Sequence, residues 1–95
     1  MNTRDQFVAT IKGTVDAWNR AIDEAEATLK ANTLRTEAEF IERIAEMKRQ
    51  RNEAERTLQE AREISVTQWK RQFQKFESAW TEISDGFSNA WSKLR

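Results

Sequence analysis

The sequence predicts an all-α protein: an antiparallel helical hairpin of coiled-coil type, with a long second helix or a third amphipathic helix. Three observations carry that expectation. Pro is absent and Gly occurs only twice in 95 residues, so the two residues least tolerated in helix interiors are nearly missing. Charged residues make up 34% of the chain, in the Ala/Glu/Arg/Gln/Lys-rich style of long helices. The apolar residues recur at helical spacing rather than in alternation, so no segment reads as a strand. A chain of this length forms one small domain, expected to span 1–95.

The first helix is expected over 3–31. Thr3 and Gln6 have the spacing of a capping box, and Asp5 suits the positive end of the helix dipole. Val8, Val15, Ile22 and Leu29 then recur every seven residues, with Ile11, Trp18, Ala25 and Asn32 at the companion position. This is the seam of a coiled coil. Phe7 and Ala21 flank it.

A break is expected at Asn32–Arg35, followed by a second capping box from Thr36 to Glu39. So short a linker between long helices implies antiparallel neighbours. The second helix, expected over 36–65, offers a thinner stripe of Phe40, Ile41, Ile44, Met47, Ala54, Leu58 and Ala61. Pairing about the turn places Phe7 near Ala61, and Trp18 across from Met47, Arg51 and Ala54. Arg51 then packs its stem on Trp18 with its guanidinium in water, or else fixes the register of the pair. Glu46, Arg49, Glu53, Arg56 and Glu60 alternate in sign on the far side. Each such pair contributes a few tenths of a kcal/mol, which describes a solvated face.

At Ser65 the stripe shifts. Leu58, Ala61, Ser65, Trp69 and Phe73 continue the periodicity through an inserted step, which unwinds a coiled coil without ending a helix. Ser65 and Gln68 could instead form a capping box and a bend. With neither Gly nor Pro there, a helix continuous into residues 66–95 is the expectation.

The last third holds the least ordinary pattern. Trp69, Trp80 and Trp91 recur every eleven residues, and so do Phe76 and Phe87. Eleven residues at about 100° each end only about 20° past three full turns, so the repeats share one face. Phe73, Ile83 and Leu94 complete the stripe, and Lys70, Arg71, Gln74, Ser78, Thr81, Ser88, Asn89 and Ser92 lie opposite. Three roles fit such a face. It can form a core with the first helix or with a second copy of the chain, lie on a lipid or granule surface, or receive another protein's helix. Trp69, Phe73, Phe76, Trp80, Ile83, Phe87, Trp91 and Leu94 are therefore the candidate interaction surface.

The composition also excludes chemistry. Cys and His are absent, which removes Ser–His and Cys–His nucleophiles, disulfides and Cys/His zinc sites. The two glycines are isolated, so no phosphate-cradling loop exists. No catalytic residue, cofactor or metal ligand is expected, and the chain reads as non-enzymatic. Lys+Arg and Asp+Glu balance at 16 each. The residues from Ser65 onward are only mildly basic, with Lys70, Arg71, Lys75, Lys93 and Arg95 against Glu77, Glu82 and Asp85. Nucleic-acid binding needs a stronger positive field. Met1–Asp5 opens no signal-peptide apolar region, and no apolar run approaches membrane-spanning length. A cytoplasmic location, or one peripheral to a membrane or granule, is the resulting expectation.

Trp18-Asn19, the charged middle segment and the Ala79-Trp80 and Ala90-Trp91 repeats resemble small bacterial coiled-coil proteins of about this length, over most of the chain. Those proteins tend to carry Gly near position 65, where this chain has Ser65. The resemblance implies helical coiled-coil character and no particular activity. In pattern alone, the C-terminal repeats are similar to phasin and apolipoprotein helices, which coat hydrophobic particles. The expected function is that of a coiled-coil interaction or scaffolding protein that self-associates, as a dimer, or binds another helical protein. A peripheral lipid- or granule-binding protein is the alternative.

Overall fold

A computed structural model describes residues 3–31 and 38–94, and every one of these outside Ile64–Ser65 is helical. The chain is all-α, with helices α1 (Thr3–Ala31), α2 (Ala38–Glu63) and α3 (Val66–Leu94). The turn at Asn32–Arg35 and the Thr36–Glu39 capping box fall on or border residues outside those described.

Side-chain pairs fix the topology. Arg51 Nη1 donates to Asn19 Oδ1 at 3.0 Å, and Lys48 Nζ lies 3.3 Å from Glu26 Oε1. Numbers therefore rise along α1 as they fall along α2, which makes the two antiparallel. The same holds for α2 and α3: Ala61 packs with Trp69 near the joint, and Met47 with Phe87 and Ala90 at the far end. Accordingly α1 and α3 run parallel, forming an up-down-up bundle of 53 × 18 × 17 Å.

The helices divide the core between small and large residues, α2 burying small ones beside Ile44, Met47 and Leu58. The innermost positions of α2 include Ala54 and Ala61, both 0% exposed, and Thr57 is buried nearby. Their small volume leaves room for the rings of α3, while α1 adds Ile11, Val15 and Ile22. α2 and α3 approach closely enough that a Cβ at Gly86 would stand 2.7 Å from the Gln50 amide group. α1 and α3 meet through side chains rather than close backbones. The seam residues of the first two helices all face the interior: Ile11, Val15, Ile22, Ile44, Met47 and Leu58 are buried, and Val8, Trp18 and Leu29 are half-buried. Ile41 departs from the expected stripe and stands 51% exposed.

Helix continuity through Ser65 is corrected by the structure. α2 stops at Glu63 and α3 restarts at Val66, folded back along the bundle. Ser65 acts as the N-cap, its Oγ accepting the Gln68 N–H at 3.2 Å. Magnitudes explain the outcome. A straight helix would save the few backbone bonds lost at the joint, worth about 1 kcal/mol each. It would leave Trp69, Phe76, Ile83 and Phe87 uncovered, and burying such side chains stabilises by about 1.5–3 kcal/mol apiece. Burial wins.

The polar positions are likewise resolved. The Arg51 guanidinium does not simply reach water; it bonds Asn19 on α1 and Asn52 Oδ1 at 3.1 Å, tying the two helices in one register. The charged ladder of α2 is solvated, with Arg49–Glu46 bonded and Arg56 Nε 3.4 Å from Glu60. The Thr3 hydroxyl accepts the Trp69 indole N–H at 2.8 Å, so the start of α1 is tied to the start of α3.

Gly13 lies exposed in mid-helix, and nothing stands within 4 Å of a Cβ built there. Gly13→Ala is expected to stabilise the fold by about 1 kcal/mol through helix propensity alone. Urea unfolding should show a raised midpoint at unchanged slope. A lowered midpoint would mean that Gly13 meets something the isolated chain does not contain.

Candidate interaction surface

The eleven-residue repeat places the aromatic residues of α3 on one side, and the fold aims that side between α1 and α2. Trp69 is 2% exposed, and Phe76, Ile83 and Phe87 are also buried. These four are covered by α1 and α2, the first of the three roles open to the stripe. The physical cause is the fold-back at Ser65. Phe73, Trp80, Trp91 and Leu94 are half-buried along the edges of the stripe. The opposite face, from Lys70 and Arg71 to Asn89 and Ser92, is exposed.

Two groups of rings join α1 to α3. At the lower end Phe7 sits 5.1 Å from Trp69 and 6.0 Å from Phe76, the latter edge to face. Trp69 in turn meets Phe73 and Phe76 at 5.4 and 5.3 Å. At mid-height the Trp18 indole lies between Trp80, at 5.5 Å and 18°, and Phe87, at 4.2 Å and 5°. Such stacked pairs add about 0.5–1.5 kcal/mol each beyond the area they bury. Trp18 thus belongs as much to the α1–α3 contact as to the α1–α2 seam.

A groove of about 410 Å³ between α1 and α3 is lined by Ala17, Trp18 and Ala21 on one side and by Phe87, Trp91, Ser88 and Ser92 on the other. A second, smaller groove of about 230 Å³ lies between α1 and α2, with Leu29, Ile41, Ile44 and Ala45 between the Lys48–Glu26 ion pair and Lys30. Both grooves offer apolar contact with a polar margin, and the first adds aromatic rings, the make-up of a protein–protein contact. The sequence did not single out Ala17, whose role depends on what stands beside it in α3.

Among the described residues no group of three or more His, Cys, Asp or Glu could hold a metal ion, and every buried side-chain nitrogen or oxygen has a hydrogen-bond partner. No described helix is long and apolar enough to cross a membrane. In comparison with known proteins, the chain matches no protein-family model, no curated protein and no solved structure.

Proposed function

We propose that this chain is a non-enzymatic helical interaction protein that self-associates through its amphipathic helices. The supporting observation is the α1–α3 edge, where Trp18, Trp80 and Trp91 remain half-buried beside an open groove. Large rings with part of their surface in water gain from being covered, and they are the residues that carry binding energy at protein interfaces. The absence of Cys and His from the sequence is consistent with a role that rests on shape and burial rather than reaction.

Sedimentation equilibrium of the full chain at micromolar concentration should give a dimer mass. Vesicle flotation with neutral and anionic lipids should leave the protein at the bottom, because most of the aromatic stripe is covered by the chain itself. A monomer mass at every concentration, with flotation on vesicles, would replace this reading by a lipid-surface one.

A further inference from the structure

The geometry points to the Ile64–Ser65 joint as an exchange hinge: it can straighten, fuse α2 to α3, and hand α3 to the α1–α2 hairpin of a second copy. This rests on self-association and gives it a route distinct from the α1–α3 edge. Two capping contacts carry the inference. In a continuous helix the Gln68 N–H would bond the Ile64 carbonyl, four residues back. In the bundle each of those two groups has a substitute partner. Ser65 Oγ takes the Gln68 N–H at 3.2 Å, and Arg4 Nη1 donates to the Ile64 carbonyl at 2.7 Å. The ladder is intact on either side, with Ile64 N–H on Glu60 at 3.2 Å and Trp69 N–H on Ser65 at 2.9 Å.

Nothing in the local backbone obliges the chain to bend there. The joint holds neither Gly nor Pro, and among the described residues no backbone has positive φ. The apolar spacing of Leu58, Ala61, Ser65, Trp69 and Phe73 runs through it. A straightened protomer would uncover Trp69, Phe76 and Phe87, and the surface that fits them is the one they leave: Phe7, Trp18 and Ala61 of an identical chain. Exchange of an identical element restores the same contacts, so the hinge alone sets the balance between closed monomer and exchanged dimer. Short hinges favour exchange.

Arg4 and Ser65 are thus a latch on the closed form. Removing both, in Arg4→Ala/Ser65→Ala, frees the Ile64 carbonyl and the Gln68 N–H to pair with each other. It is expected to shift the monomer–dimer equilibrium toward dimer by roughly a hundredfold or more, as the loss of a helix cap and a charged bond in each protomer implies. The dimer should be long. One helix over residues 38–94 is 57 residues, or about 86 Å at 1.5 Å per residue, against 53 Å for the closed bundle. Val66→Pro does the opposite. Val66 is 44% exposed at the first position of α3, where Pro suits a helix start and forbids a continuous one.

The test is sedimentation equilibrium with small-angle scattering on the full-length wild type and both variants. The expected result is an elongated dimer for the double variant and a compact, helical monomer for Val66→Pro. A double variant that stays monomeric, or dimerises compactly, overturns the hinge, and so does a Val66→Pro protein that dimerises like wild type. In that last case self-association survives through another surface; if wild type and variants are all monomeric, both ideas fall. Should Val66→Pro lose its helicity, the double variant alone decides.

Discussion

Trp18→Ala is expected to remove about 3–5 kcal/mol of stability, the usual range for deleting a large aromatic from a packed site. Trp18 is only half-buried, which would ordinarily argue for a smaller loss. Its position argues otherwise. The indole touches both upper clusters of the core and is stacked between Trp80 and Phe87. Because α1 and α3 lack close backbone contact, few atoms could relax into the space it leaves. A domain of this size has about 5–14 kcal/mol in total, so the variant should be partly unfolded on modest heating. Urea titration followed by circular dichroism reads this directly, with Trp18→Phe as a control that keeps a ring in the stack. A loss under about 1 kcal/mol for Trp18→Ala would show that the α1–α3 contact contributes little.

Trp69→Ala should be about as costly, for a different reason. Its ring is 2% exposed and meets Phe7, Phe73 and Phe76, so truncation leaves a cavity beside the joint, again at about 3–5 kcal/mol. Trp69→Phe separates burial from bonding. It retains most of the ring contacts and deletes the indole N–H that Thr3 Oγ1 accepts at 2.8 Å, so it should cost only about 1–2 kcal/mol. If the Phe variant were as unstable as the Ala variant, the hydrogen bond rather than ring packing would dominate this end of the bundle. Both values come from the same denaturation experiment.

Much of this architecture is legible in the sequence because helix period is a local property. The heptads of Val8, Val15, Ile22 and Leu29 and the eleven-residue tryptophan repeat each identify a buried face without reference to any other segment. The bend at Ser65 is not legible in this way. Both forms give the Gln68 N–H and the Ile64 carbonyl a partner, and the donor that completes the bent form, Arg4, is sixty residues away. For the same reason, periodicity shows that Trp69, Phe76, Ile83 and Phe87 share a face, but not what lies against it. Arg51 allowed two readings until Asn19 was placed beside it. Ile41 fits the helical stripe and is nonetheless exposed, since period alone does not say how far the neighbouring helices cover a face.

The up-down-up connectivity has a kinetic consequence. Each helix packs closely on the one that follows it in the chain, so α1–α2 and α2–α3 can both pair with little loop-closure cost. The ring contacts between α1 and α3, and the bonds of Arg4 to Ile64 and of Trp69 to Thr3, join parts of the sequence about sixty residues apart. Chains dominated by near-neighbour pairing fold in microseconds to milliseconds. The two hairpins share α2, so neither has to wait for the other. The insertion of Trp18 between Trp80 and Phe87 is then the step at which a loose collection of paired helices acquires a single arrangement.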